Sequence, residues 1–178
     1  MATVSDVISR FQKSYRVMII TVLAVVVVSI YFHIIINITP SMKLGFYRKT
    51  NGEIRHGDII AFCLPEPTKT LGLSRLYIEK GRACDGSDPL IKEVIAIPGD
   101  RVVLQDEFVE VNDQRFPYRT IYNDSEGRAL SVYPRGEYPN TEGYWLIGTH
   151  AHNSWDSRYW GAVKNDQILS KLRPLWTW

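Results

Sequence analysis

The sequence predicts a mainly β domain carried by one N-terminal transmembrane helix. An uncharged apolar run occupies residues 17–36, and from residue 46 onward short apolar or alternating runs are separated by Gly, Pro, Asn and Asp. An aromatic content of 12% with nine prolines suits strands and turns better than a helical bundle. A length of 178 residues fits one domain plus an anchor. With 22% charged residues and a formal net charge of +2, the chain lacks the basic face of a nucleic-acid binder. No internal repeat or low-complexity segment is present.

The anchor comes first. Residues 17–36 are broken only by Thr21, Ser29 and His33. At about 1.5 Å of rise per residue, a helix of this length covers roughly the 30 Å hydrocarbon core. Its Val and Ile content would suit a strand in water, but a lone strand in lipid leaves its backbone unpaired. A cleavable signal peptide is the competing reading; the run is too long for one, and no small-residue cleavage site follows. Arg10, Lys13 and Arg16 precede the run and place a segment 1–16 in the cytoplasm, with residues 37–178 on the far side.

Strands are expected at 59–63, 91–97, 101–104, 108–111, 144–148 and 171–176, with Asn112-Asp113 as a hairpin turn before Arg115. Helix is expected only in the first 36 residues. The stretch 117–141 reads as a long loop, rich in Asn, Asp, Gly and Pro. Cys63 and Cys84 lie in the outer part, where an oxidising compartment favours a disulfide whose closure is worth about 3 kcal/mol. Two separate buried thiols remain the alternative. A zinc site lacks clustered ligands, and no cofactor site is apparent.

The chemistry centres on Thr39-Pro40-Ser41-Met42-Lys43-Leu44-Gly45, which begins where the apolar run stops. Ser41, at the water-facing end of a membrane anchor, reads as a nucleophile. It needs a base to take its proton. His33 falls in the apolar run and His56 in a turn. His150 or His152 would make a Ser-His-Asp set with Asp156, and Lys43 shares a face with Ser41 in an extended segment. Lys92 is better placed than these, because a lysine among apolar strand residues is the kind whose pKa burial lowers. Its plain alternative is a solvated strand lysine. Ser154 and Asp156 read equally as turn formers, Thr39 as a helix terminator. Asn37 and Asn123 head glycosylation sequons by pattern alone.

Taken together, Ser41-Met42 after an anchor, Lys92 within a strand ending Pro98-Gly99-Asp100, and the run from Gly148 through Asn153 to Gly161 resemble the type I signal peptidases, family S26, in order and spacing. The Cys63/Cys84 pair, the short outer part and the run 81–92 are most similar to the TraF-type peptidases of bacterial conjugation. The resemblance covers residues 35–178 apart from 117–141. It implies a signal-peptidase-like β-fold catalytic domain. Ser41 would attack the scissile carbonyl, and Lys92 would serve as general base. The Thr39 hydroxyl and the Ser41 backbone N–H would form the oxyanion hole, Ser154 would orient the lysine, and Asp156 with Arg158 would form a structural ion pair.

The same resemblance implies a precursor protein as substrate, a pilin or a preprotein, together with the lipid bilayer and the conjugative transfer machinery as partners. It places the chain in a bacterial inner membrane as a single-pass protein with a periplasmic catalytic domain. TraF-like enzymes are linked to pilin maturation, including head-to-tail cyclisation. Thr149-His150-Ala151 stands where general signal peptidases usually carry Asp-Asn-Arg, and there is no room for a large second β-domain. The first departure bears on the substrate-side contacts and leaves catalysis intact, and the second favours a dedicated substrate. A general signal peptidase is the second reading, and a non-catalytic membrane-anchored component of a secretion assembly the third.

Overall fold

The computed structural model describes residues 4–178, with side chains from residue 12 onward. Residues 1–3 of the expected segment 1–16, and the side chain of Arg10, lie outside the described residues. The chain divides into two compact units, Met1–Ile35 and Ile36–Trp178.

The first unit is helix α1, Val4–Tyr31, within which the 20 residues Gln12–Tyr31 are long and apolar enough to cross a membrane. The apolar stretch was expected to stay helical to Ile36, and it does not. Phe32 N–H donates to the Val28 carbonyl and His33 N–H to that of Ile30, His33 turns to a φ of 51°, and Ile34–Asn37 continues as strand β1. Ile34, Ile35 and Ile36 are β-branched, and their stiff side chains suit a strand better than a helix. Hydropathy alone does not see that change.

The second unit is built from β2 (Gly45–Thr50), β3 (Ile59–Phe62), α2 (Thr68–Ser74), β4 (Lys80–Gly81), β5 (Gly86–Ser87), β6 (Leu90–Ala96), β7 (Val102–Leu104), β8 (Val109–Val111), β9 (Gln114–Phe116), β10 (Gly136–Tyr138), β11 (Trp145–Ile147), α3 (Ser157–Trp160) and β12 (Ile168–Thr177). It is mainly β, as the sequence predicts. The main sheet runs β2-β12-β3-β6-β11 with every one of these neighbours antiparallel. A smaller sheet runs β10-β7-β8-β9. Asn112 and Asp113, at φ 47° and 69°, make the tight β8–β9 turn.

Alternation between two covered faces explains why the end of β6, Val94 to Ala96, and all of β11 read as unbroken apolar runs. Val94 and Leu146 join Ile60, Phe62, Leu64 and Val163 in one core cluster, while Ile95, Trp145 and Ile147 join Val102, Leu104, Val109 and Val111 in the other. A sheet covered on both faces needs apolar residues at every position. Lys92 lies opposite Ile60 in the β3–β6 register, and Glu93 opposite Ile147 in the β6–β11 register.

Two corrections concern local structure. Helices α2 and α3 lie outside the first 36 residues, where none was expected; each is short and its sequence carries no amphipathic period to announce it. The stretch 117–141 is not all loop, since β10 lies within it and Asn123 bridges Ala129. Cys63 and Cys84 are joined by a disulfide that closes the connection containing α2.

Candidate active site

The loop from Asn37 to Lys43 is organised by Asn37, which is only 3% exposed. Its Nδ2 donates to the carbonyls of Thr39 at 3.0 Å, Met42 at 3.2 Å and Lys43 at 3.0 Å. Its Oδ1 accepts from the Thr39 N–H at 3.2 Å and the Thr39 hydroxyl at 2.8 Å. One amide therefore holds both sides of the turn that presents Ser41. This residue carried only a sequon in the sequence, and an acceptor amide so buried is not available for glycosylation. The signal that would have found part of this is an Asn two residues before the Thr39-Pro40 start of a turn, the spacing at which an Asn side chain bonds the backbone two residues on.

Ser41 is half-buried, and its carbonyl accepts the His150 N–H at 3.1 Å. Gly148 lies against the same carbonyl: a Cβ built on it would fall 3.0 Å from Ser41 O and 2.0 Å from Ser154 Oγ. Three separate chain segments thus meet at Gly148, with no room for a side chain. Met42 is buried and its sulfur receives the Thr149 hydroxyl at 3.7 Å. Among the described residues the Ser41 hydroxyl and backbone N–H have no hydrogen-bond partner.

Lys92 projects from β6, 3% exposed, on the sheet face of Ile60 and Val94. Burial pulls its pKa down from 10.5 to about 8, with Asp156 opposing the shift and Arg158 adding to it. The Ser154 hydroxyl is buried, and it has no partner among the described residues.

Below these groups lies a buried ion pair. Asp156 and Arg158, 0% and 2% exposed, meet through Arg158 Nε and Nη2, each 2.8 Å from a carboxylate oxygen. Asp156 also accepts the N–H of Arg158 at 3.3 Å and that of Gly148 at 3.1 Å, so one carboxylate caps α3 and fixes Gly148. Arg158 in turn donates to the carbonyls of Ser154, at 3.0 Å, and Arg119. The Arg119 contact, with Tyr133 N–H donating to Arg158 O at 3.0 Å, shows what part of 117–141 does: it wraps the α3 turn.

The alternative bases fare differently. Asp156 is committed to Arg158 and Gly148, and no hydrogen bond joins it to exposed His150 or His152. His56 pairs at 2.6 Å with Asp100, which lies in the turn after β6. Lys43 is exposed. Thr39 is also exposed, and its hydroxyl is donated to Asn37. Among the described residues no cluster of His, Cys, Asp and Glu is placed to hold a metal ion.

Comparison with known proteins is consistent with this geometry. Residues 9–177 match the family described as signal peptidase, peptidase S26. A plasmid transfer protein TraF of Escherichia coli is 31% identical over 150 residues, covering 80% of this chain and 82% of that protein. A conjugal transfer protein TraF of Agrobacterium fabrum is 32% identical over 145 residues, covering 80% and 81%. A signal peptidase I of Bacillus caldolyticus is 30% identical over 91 residues, covering 46% and 50%. The crystal structure of a signal peptidase I from Enterococcus faecalis aligns with a TM-score of 0.41 and 20% identity, covering 70% of this chain and 100% of that one.

Proposed function

Because the chain belongs to the signal peptidase family, peptidase S26, we propose that it is a membrane-anchored serine endopeptidase that removes the leader of an exported precursor, using Ser41 as nucleophile and Lys92 as base. The observation that carries the reading is the buried Lys92, whose pKa falls to about 8. A lysine in that state yields a neutral amine at mildly alkaline pH, as a serine nucleophile requires.

The steps follow from the groups at hand. As Ser41 Oγ bonds to the scissile carbonyl carbon, its proton passes to Lys92. Charge collects on the carbonyl oxygen, where the unpaired Ser41 N–H can receive it; such a donor is worth about 3–4 kcal/mol. The Thr39 hydroxyl joins that hole only by turning away from Asn37. Protonated Lys92 then gives its proton to the leaving amine as the scissile C–N bond breaks, and the acyl group on Ser41 passes to water or to a second, neutral amine, whose proton returns through Lys92 to Ser41 Oγ. Ser154, unpartnered beside Gly148, is suited to orient the Lys92 amine, and the Asp156–Arg158 pair holds that turn in place.

The precursor is proposed to be a conjugative pilin, with linear or cyclised product, acting within a bacterial inner membrane with residues 37–178 in the periplasm. Identity to two TraF proteins over 80% of the chain supports this setting. Ser41 follows the end of α1 by ten residues, so a leader crossing the same bilayer would surface near the nucleophile before any specific contact forms. The intact mass of a pilin precursor, co-expressed with wild type and with Ser41→Ala, Lys92→Ala and Lys43→Ala, tests this. Trimming is expected with wild type and Lys43→Ala only, and a product lighter by one water marks cyclisation. Processing that survives Ser41→Ala overturns the proposal. Rescue of secretion in cells depleted of their own enzyme would instead favour a general signal peptidase.

A further inference from the structure

Glu93 has no part in that chemistry, yet it lies at its edge. It follows Lys92 on β6 and therefore points to the opposite face of the sheet. It is half-buried, and among the described residues its carboxylate makes one hydrogen bond, accepting from the neutral hydroxyl of Thr149 at 3.3 Å. Burial pushes its carboxyl pKa up, with the Thr149 bond partly offsetting. Among the described residues no Lys, Arg or His forms an ion pair with it. Lys92 is not a hidden partner, because the charges acting on it are those of Asp156 and Arg158. Tyr118, close enough to feel the Glu93 charge, brings a phenol and no cation.

A carboxylate taken partly out of water without a counter-charge costs the fold stability and adds no packing that a leucine would not. Its location gives it a use. Thr149 bonds Glu93 and also the sulfur of Met42, the residue after Ser41, while Gly148 and His150 on either side of Thr149 both contact the Ser41 carbonyl. Glu93 and Thr149 therefore form an anionic rim, one side chain removed from the nucleophile turn.

We propose that Glu93, held by Thr149, is a subsite for a positive charge of the substrate within a few residues of the reacting bond, either a Lys or Arg side chain of the precursor or the α-ammonium of an amine acceptor. That ammonium gives a proton to the Lys92 amine, neutral once the leaving amine has departed, before it attacks the Ser41 ester. The inference rests on the peptidase reading above. Both sources present the same chemistry, a cationic N–H donor to a half-buried carboxylate, and such charge-assisted bonds are about twice as strong as neutral ones.

The test uses the full-length chain in detergent micelles. One series of precursor peptides carries Lys, norleucine or Glu at each position within four residues of the cut; a second reaction adds a peptide with a free α-amine and measures amide against hydrolysis product. For a side-chain cation, wild type is expected to prefer Lys over norleucine at one position by at least about tenfold in kcat/KM. Glu93→Gln should reduce that to under about twofold, and Glu93→Lys should transfer the preference to the Glu peptide. For an acceptor α-ammonium, the scan is flat and Glu93→Gln lowers the amide-to-hydrolysis ratio about tenfold. Thr149→Val should weaken whichever discrimination is found without abolishing it. If both Glu93 variants fold, cleave every peptide in wild-type proportions and leave the amide-to-hydrolysis ratio unchanged, the subsite is ruled out. Absence of cleavage by wild type would instead remove the peptidase reading.

Discussion

A Cβ placed on Gly148 would come within 2.0 Å of Ser154 Oγ and 2.6 Å of Ser154 Cβ. No rotation of the serine moves its Cβ, so the approach of these two residues depends on the absence of a side chain at 148. Gly148→Ala is expected to force the Ser154 turn away from β11, lowering kcat by about two orders of magnitude or more and stability by about 1–3 kcal/mol. The double variant Gly148→Ala/Ser154→Gly removes both clashing atoms. It should regain most of the stability in a denaturant melt while remaining impaired, because the buried hydroxyl is gone.

The buried lysine sets a pH dependence for activity and for stability. A base of pKa about 8 predicts kcat/KM rising with pH and levelling above an inflection near 8, a limb absent from Lys92→Ala. For stability, the folded-state value of about 8 lies below the ordinary 10.5. Between those two the unfolded chain holds more protons than the folded one, so stability increases with pH through that window. Below it the folded protein carries the full penalty of a buried charge, about 3 kcal/mol. Lys92→Met is therefore expected to be inactive yet more stable than wild type at pH 7, with its advantage shrinking as the pH approaches 10. Equal stability of the two proteins from pH 6 to 10 would show that the lysine is solvated.

Asn37 carries more of the nucleophile turn than any other single side chain. Asn37→Ala strands three carbonyls and the Thr39 N–H, a loss of about 1–3 kcal/mol and of about 100-fold or more in activity. Asn37→Asp keeps the size and the acceptor but replaces the donor by a charged oxygen facing three carbonyls. It should be the more damaging of the two, and the order of their thermal midpoints checks this.

What the sequence made legible was whatever depends on local chemistry. Lys92 stood out by its apolar flanks, the 112–113 turn by its Asn-Asp pair, and the outer cysteines by their number and setting. What it concealed depends on contact across long separations. The spacing of Asn37 and Thr39 announces a local Asn turn, but nothing in it says that the same amide reaches on to Met42 and Lys43, and nothing in Thr149 says that it joins Met42 to Glu93. The end of α1 was misplaced because hydropathy does not distinguish Tyr31 from the three isoleucines that leave the helix. Segment 117–141 looked like loop because its ordering partners, Arg158 and Tyr159, lie beyond it.

The disulfide reaches the site through packing. Inside the connection that it closes, Gly72 packs on Trp155, Tyr77 lies 5.1 Å from the same indole, and the Tyr77 hydroxyl donates to Asp124 at 2.5 Å. Trp155 sits between Ser154 and Asp156, so the cross-link braces the turn that holds the unpartnered serine and the buried ion pair. Cys63→Ala/Cys84→Ala is expected to lose about 3 kcal/mol of stability from the loop released. At a temperature where the variant remains folded it should also lose activity, and Trp155→Ala, with the disulfide intact, should show the same activity defect. A variant that is less stable yet fully active would confine the disulfide to holding its own loop.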